Sequence, residues 1–247
     1  MSDPRRHRAG ESEPLTSNVS APPERWTVAV ENAVCPRPRD GSSQHPRRRI
    51  LDALVQTVAR SGYERTSVER VSRLAEVPEP VFQEHFESKE DCLLAALDEL
   101  IGALQRIVLE RVAGRGPWSE RVRLGLQTLL TALACHPDGA RVALVECLSA
   151  GEPAAARMRS AVASFVPALE EGRAQAADTG HLPPQASEAV AGGIAAILHR
   201  HVLEGHTVEL PALLPDLLYF ALMPYVGHDR ALAAAGSAAA GSASCAA

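Results

Sequence analysis

The chain has 247 residues and a formal net charge of −5 at pH 7. Proteins that hold nucleic acid by bulk positive charge are normally basic, so this balance disfavours that class. The five cysteines are odd in number and form no Cys-x-x-Cys pair, which indicates reduced thiols. The sequence has neither a charged-then-apolar leader nor a run of 18 apolar residues, so we predict a cytoplasmic protein without a membrane span.

The two ends of the chain differ in composition from its middle. Residues 1–46 are rich in Pro, Arg, Ser and Glu and cannot bury enough apolar surface to offset chain entropy, so a disordered extension is predicted. Residues 229–247 are an Ala/Gly/Ser tail, which is also predicted to be disordered. Between them, residues 47–92 are predicted to form a small helical domain and residues 93–228 a larger one.

Helical periodicity begins directly after the N-terminal extension. Apolar residues recur at three- and four-residue spacings from Ile50 to Val58, which predicts one apolar helix face. Gly62 follows where such a helix would end. The segment from Thr66 to Glu69 is typical of a capping box, in which the Thr66 hydroxyl begins a second helix.

Two more helices are predicted before the larger domain, a short one after Pro78 and a long one capped by Ser88. Beyond them the breaks between apolar segments contain Pro or Gly, and no alternating strand pattern occurs. The predicted fold class is therefore all-α. The later helices are expected at residues 118–135, 138–150, 154–177, 185–204 and 210–226.

Three short helices, the second and third joined by a tight turn, are typical of a helix-turn-helix that places its third helix in the DNA major groove. Three segments here resemble the N-terminal domain of the tetracycline-repressor (TetR) family: residues 48–53 (RRILDA), 61–71 (SGYERTSVERV) and 84–91 (EHFESKED). The C-terminal half resembles one branch of that family more loosely, at residues 144–146, 170–173, 202–205 and 213–219.

The resemblance implies a ligand-responsive repressor that binds a palindromic operator in double-stranded DNA as a homodimer, with no cofactor. At matching positions Thr66 or Ser67 and Lys89 would contact phosphates, although Thr66 could serve only as a helix cap. Glu79 and Val81 would face base edges. The complete set of DNA-binding candidates is Arg49, Thr66, Ser67, Glu79, Val81, Gln83, His85 and Lys89.

The presumed recognition helix departs from the family pattern. Glu76 stands where the family has Gly, Pro78 replaces a capping Ser, and Gln83 replaces a Tyr that contacts phosphate. Acidic side chains near the DNA would be repelled by phosphates. An alternative is therefore an interaction protein of the same fold with weak or lost DNA binding. The basic residues that offset the acidic ones are Arg65, Arg70, Arg73, Lys89 and the run at 47–49. Arg37 and Arg39 precede the first helix in an N-terminal arm, which either follows the DNA minor groove or is a solvated tail.

The larger domain is predicted to hold an unknown small-molecule effector among its helices, in a mostly apolar pocket with a few polar anchors. The candidate lining residues are Leu104, Trp118, Leu126, Leu144, Glu146, Phe165 and His199. The spacing of His199, His201 and His206 does not favour a metal site. No motif of an enzyme active site is present, so no enzymatic activity is predicted.

The dimer interface is predicted on the last two helices. Small side chains there would permit close helix approach, and leucines would supply apolar area for a four-helix bundle across a two-fold axis. The alternative is that these helices complete the core of one protomer. The small residues are Ala191, Gly192, Gly193, Ala195 and Ala196, and the leucines are Leu213, Leu214, Leu217, Leu218 and Leu222.

Overall fold

The computed structural model describes residues 45–114, 116–176 and 182–243. Within these ranges every regular element is helical, which confirms the predicted all-α class. Among the same residues no helix combines the length and apolar character that crossing a bilayer requires. Residues 1–44, including Arg37 and Arg39, lie outside the described part of the chain. The prediction that these residues are disordered therefore stays a prediction.

Four helices form the N-terminal region: α1 (Pro46–Ser61), α2 (Val68–Ala75), α3 (Glu79–His85) and α4 (Lys89–Val112). Helix α1 ends at Gly62, whose φ of +83° suits a residue without a Cβ. Helix α4 begins at Ser88, where the hydroxyl accepts a hydrogen bond from the Asp91 amide at 3.1 Å. The shared core is fully buried and contains Ile50, Leu54, Val58, Phe82, Leu93 and Leu97.

Helix α2 is capped one residue later than the sequence predicted. The cap is Ser67, whose hydroxyl oxygen accepts from the Arg70 amide at 3.4 Å and donates to the Glu69 carboxylate at 2.6 Å. The Thr66 hydroxyl donates instead to the Gly62 carbonyl at 2.9 Å, and the residue is 3% exposed. The capping role given to Thr66 was therefore wrong, because Thr66 closes the loop between α1 and α2.

The C-terminal region packs around a second core. Its elements are α5 (Trp118–Cys135), α6 (Pro137–Arg141), a π-helical turn (Val142–Glu146), α7 (Cys147–Ser149), α8 (Glu152–Ala163), α9 (Val166–Glu170), a 3-10 helix (Glu171–Gln175), α10 (Ala186–Leu203), a 3-10 helix (Thr207–Leu213), α11 (Leu214–Val226) and α12 (His228–Ala243). The helix expected over residues 154–177 is thus divided, with Pro167 in the first turn of its second part.

Residues that were expected to face a partner lie inside this core. Leu214, Leu217, Leu218 and Leu222 are at most 5% exposed and pack against α5 and α10. The prediction that these leucines form the dimer interface was wrong, since their side chains fill the protomer's own core. On α11, the large apolar side chains left accessible are Phe220 and Met223.

Helix α12 contradicts the predicted disorder of residues 229–247 as far as Ala243. Alanine has the highest helix propensity, and the tail places Ala231, Ala235 and Ala238 on one side of the helix. These three side chains are 0–7% exposed, and α12 packs along α11. Composition suggested a disordered tail, whereas alanines at helical spacing pack α12 closely against α11.

Cys92 and Cys147 are fully buried. Burial raises the pKa of the Cys92 thiol to about 12, with a smaller effect of Asp91, and raises the pKa of Cys147 to about 11. The Cys147 thiol also donates to the Ala143 carbonyl at 2.9 Å.

We expect neither thiol to react with iodoacetamide in the folded chain at pH 8.5, because thiolate is the reactive form. Both should react after unfolding, as site-resolved mass spectrometry would detect.

Since folding raises the pKa values of both thiols above their ordinary value of 9.0, the free energy of unfolding should fall as the pH rises from about 9 towards 11. Rapid modification of either cysteine in the native protein would contradict this burial.

Candidate nucleic-acid interface and candidate ligand groove

The turn between α2 and α3 adopts a strained conformation for its residue type. Glu76 ends α2 with φ 54° and ψ 43°, in the left-handed region that favours glycine. The Arg49 guanidinium stabilises this turn, since its Nη2 donates to the Ala75 carbonyl and, at 2.7 Å, to the Glu76 carbonyl. Glu76 stands where the family pattern has Gly, and Arg49 on α1 stabilises the backbone conformation that Glu76 adopts there.

Replacing Glu76 by Gly should stabilise the chain by about 1 kcal/mol, because the left-handed conformation costs roughly that much for a residue with a Cβ. The exposed Glu76 carboxylate, 3.7 Å from Arg49, contributes little. Glu76→Ala is the matched control, because it removes the carboxylate and keeps the Cβ. Equal thermal unfolding midpoints for the Gly and Ala variants would show that relief of backbone strain does not stabilise the Gly variant.

Besides Arg49, the predicted DNA contacts Lys89 and Thr66 also have partners within the protein. Lys89 Nζ donates to the Tyr63 carbonyl at 3.0 Å and lies 4.0 Å from the centre of the Tyr63 ring. Thr66 is buried, so its side chain does not present a donor to DNA. Ser67 is partly exposed at the start of α2, where a phosphate could reach it.

Helix α3 occupies the position of a recognition helix. Glu79 and Gln83 are exposed, Val81 and His85 are half-buried, and Phe82 anchors the helix in the core. Pro78 at the start of α3 provides no side-chain cap, as its residue type predicted. The outward surface of α3 is thus acidic and polar, and it offers little attraction for the DNA backbone.

The basic run at the start of α1 is also bound internally. Arg47 Nη1 donates to Glu99 at 2.5 Å, and the Arg47 guanidinium lies 5.6 Å from the Phe86 ring centre. Arg48 is bonded to Glu99 at 3.2 Å and to Asp52 at 3.2 Å. These side chains join α1 to α4, a role that the sequence pattern did not reveal.

A groove with a volume of about 650 Å³ lies between α8, α9, α10 and the π-helical turn. Its walls are mainly apolar, with polar groups from Arg159, Glu188 and His199. Among the seven predicted effector residues, Leu144 and His199 line this groove. This concavity is an open groove, whereas the sequence predicted a pocket inside the domain.

The other five predicted effector residues lie elsewhere. Trp118 and Leu126 are core residues with at most 8% exposure, and Leu104 packs partly buried against the same core. Phe165 is half-buried and precedes α9. The Trp118 indole donates to the Ala168 carbonyl at 2.7 Å and meets the Tyr225 ring edge-on at 5.0 Å. The apolar pattern of the sequence did not distinguish residues of the protein core from residues that line the groove.

Glu146 connects the two regions of the molecule. Its carboxylate accepts from the Tyr63 amide at 3.1 Å, in the loop between α1 and α2, and lies 3.3 Å from Arg141 Nε. Glu146 is 7% exposed. The expectation that Glu146 anchors an effector was wrong, because the carboxylate faces the N-terminal region.

The groove and this contact share the π-helical turn. His199, in the groove wall, donates from Nδ1 to the Leu144 carbonyl at 2.7 Å. Leu144 lines the groove and precedes Glu146 by two residues. The groove wall and the contact with the α1–α2 loop therefore belong to the same short turn.

Comparison with known proteins agrees with this geometry. Residues 50–96 match the family described as bacterial regulatory proteins, tetR family. This region is a tetR-family domain. The resemblance seen in the sequence is thereby confirmed, and α1–α3 with the start of α4 form its helix-turn-helix. No curated protein matches the chain.

Several solved structures share the fold of about 70% of the chain. The fatty acid degradation regulator FadR from Bacillus halodurans has a TM-score of 0.63 at 20% identity, over 74% of this chain and 96% of that one. FadR from Bacillus subtilis, solved with stearoyl-CoA, has a TM-score of 0.61 at 19% identity, over 72% and 98%. AibR, solved with isovaleryl coenzyme A and operator DNA, has a TM-score of 0.55 at 18% identity, over 68% and 97%. The C-terminal region therefore has the fold of these regulators.

Proposed function

We propose that the chain is a ligand-responsive transcriptional regulator that binds operator DNA as a homodimer. The tetR-family domain at residues 50–96 carries this proposal, together with the groove of ligand size beside it. Grooves of about 300–1,000 Å³ accommodate small molecules. In this proposal Ser67, Glu79, Val81 and Gln83 face the DNA, whereas Arg49, Thr66 and Lys89 maintain the fold of the domain.

For the effector we propose an acyl-CoA ester. The groove walls suit an acyl chain, and Arg159 at the groove, which is paired with the exposed Glu152, would supply a cation for the phosphates of coenzyme A. Two regulators of the same fold were solved with such esters. Binding would shift the conformation of the π-helical turn and, through Glu146, that of the α1–α2 loop. The population of the DNA-binding state would change as a result.

The homodimer is proposed to use the exposed sides of α10 and α11. Phe220 is 37% exposed and Met223 is 40% exposed, and Leu203 at the end of α10 is 51% exposed. Gly193 allows the close approach of Phe220, since a Cβ there would lie 2.9 Å from its ring. Ala191, Gly192, Ala195 and Ala196 line the groove instead of this surface.

The operator experiment measures binding of the full chain to the DNA upstream of its own gene and to a mixed-sequence duplex, at about physiological salt, where non-specific binding is weak. We expect a preference for the upstream fragment, relieved by stearoyl-CoA or isovaleryl-CoA. Ala195→Trp should fill the groove and abolish the response to either ester. Equal binding to both DNAs would favour the interaction protein instead.

Sedimentation at micromolar concentration tests the assembly. We expect a dimer of the 26.3 kDa chain, weakened by Met223→Glu, which places a charge on the proposed interface. Leu109→Glu is the matched control, because Leu109 is 64% exposed on α4. A monomer in the parent chain, or equal dissociation of both variants, would contradict the proposed interface.

A further inference from the structure

A second basic site lies on the flank of the tetR-family domain. Arg60 near the end of α1 and Arg70 and Arg73 on α2 line a pocket of about 320 Å³, together with Ser61 and Leu74. We call it the arginine pocket. All three arginines are exposed, and no carboxylate lines the pocket.

The arginine pocket differs from the other basic groups of the domain in its bonding. Arg47, Arg48, Arg49 and Lys89 are held by carboxylates, carbonyls or rings of the protein. Arg60, Arg70 and Arg73 form no ion pair in the described part of the chain, and Arg70 makes a 3.5 Å contact with the Arg65 carbonyl. Their charge is therefore available to an anion.

The position of the pocket points to DNA as the source of that anion. In a helix-turn-helix the first helix crosses the DNA backbone, and here that helix is α2. Arg70 lies one turn from the cap residue Ser67, and Arg73 lies one turn further on the exposed side. Helix α3 presents Glu79 and Glu84, so attraction for the backbone has to come from a neighbouring surface.

We propose that the arginine pocket binds a backbone phosphate of the DNA and so contributes sequence-independent affinity. This inference rests on the proposed function, since it assumes that the domain binds DNA. Guanidinium groups bind phosphate oxygens in a bidentate manner, so Arg60 and Arg73 hold the phosphate from α1 and α2 together. Sequence preference then comes from α3, whose acidic surface disfavours unspecific contact.

The test measures the salt dependence of binding for the full chain. The double variant Arg60→Gln/Arg73→Gln is compared with the parent on the upstream fragment and on a mixed-sequence duplex, from about 50 to 200 mM salt. Each lost phosphate contact reduces the slope of log K against log salt by about 0.9. Because both arginines hold one phosphate, we expect a reduction of about 0.9 and roughly tenfold weaker binding on both DNAs.

Three controls separate the possible outcomes. Arg106→Gln/Arg230→Gln removes the same charge from exposed positions outside the domain and should leave the slope unchanged. Arg60→Lys/Arg73→Lys keeps the charge and should retain most of the slope. Thermal unfolding checks that each variant is folded, which we expect because the side chains are exposed.

A parent-like slope in the double glutamine variant, with the parent bound to the upstream fragment, would overturn the arginine pocket while leaving the proposed function intact. Binding of inorganic phosphate to the free chain with an unchanged slope on DNA would assign the pocket to a free anion and overturn it too. Failure of the parent chain to prefer the upstream fragment would instead refute the proposed function.

Discussion

The Glu146→Ala variant is expected to be less stable than the parent chain by roughly 2 kcal/mol, because the partly buried Tyr63 amide and the Arg141 guanidinium both lose the carboxylate that binds them. The carboxylate accepts from the Tyr63 amide at 3.1 Å and lies 3.3 Å from Arg141, and its side chain is 9% exposed. Arg141 is 35% exposed, so water can solvate its guanidinium and limits the cost. Denaturant unfolding measures the difference.

Glu146→Gln is the informative companion. The amide oxygen can still accept from the Tyr63 N–H, while the charge opposite Arg141 is lost, so about half of the destabilisation should remain. Hydrogen exchange at the Tyr63 amide should be fast in the Ala variant and close to parent in the Gln variant. Parent-like exchange in Glu146→Ala would mean that the loop is held by other contacts, and Glu146 would then have no part in ligand response.

The Gly172→Ala variant should lose about 3 kcal/mol, at the upper end of the usual cost of overpacking. A Cβ at Gly172 would lie 2.6 and 2.8 Å from Cη2 and Cε2 of the Trp118 ring. The ring cannot retreat easily, because its Nε1 donates to the Ala168 carbonyl at 2.7 Å and its ring packs against that of Tyr225 in an edge-to-face arrangement. The substitution therefore displaces either the 3-10 helix or the indole.

Gly102→Ala provides the matched control. Gly102 is an exposed residue of α4, and a Cβ there meets no atom within 4 Å. Alanine favours a helix interior over glycine by about 0.8–1 kcal/mol, so this variant should be slightly more stable than the parent. Thermal unfolding with tryptophan fluorescence compares both. Opposite signs are expected, and a stability of Gly172→Ala equal to that of the parent would refute the close packing described for Trp118.

The helices of the tetR-family domain were predictable because local signals determine them. Gly62 and Ser88 end and begin helices through backbone conformation and side-chain capping, and both effects act within a few residues. Thr66 and Ser67 offer the same hydroxyl at adjacent positions, so the sequence did not decide between them. The choice depends on the Gly62 carbonyl, which the folded loop places beside Thr66.

The functional residues were less predictable because their roles depend on distant partners. Lys89 and Arg49 carry the charge expected of phosphate contacts, yet their partners Tyr63 and Glu76 lie 26 and 27 residues away. Glu146 was placed in a pocket from its apolar neighbours, whereas its bond to Tyr63 spans 83 residues. Only the folded chain reveals such pairs, since periodicity describes a helix face and not what covers it.

Apolar leucines on the last helices were equally ambiguous. Leu217 and Leu222 suit a protomer core and a subunit interface alike, because both bury apolar area. The structure resolves this for α11, where leucines face inward and Phe220 and Met223 remain accessible. An amphipathic pattern identifies the number of buried positions, but not the molecule that buries them.

Lys89 is the only lysine in the sequence, and its amine lies on the Tyr63 ring at the junction of the α1–α2 loop and α4. Acylating reagents that attack free amines therefore have one side-chain target, and that target is the loop contact itself. The amine can react fully only when it leaves the Tyr63 carbonyl, so the labelling rate reports the fraction of molecules with an open loop. The acylation rate of Lys89 would thus report the conformation of the α1–α2 loop in the wild-type sequence, without an engineered probe.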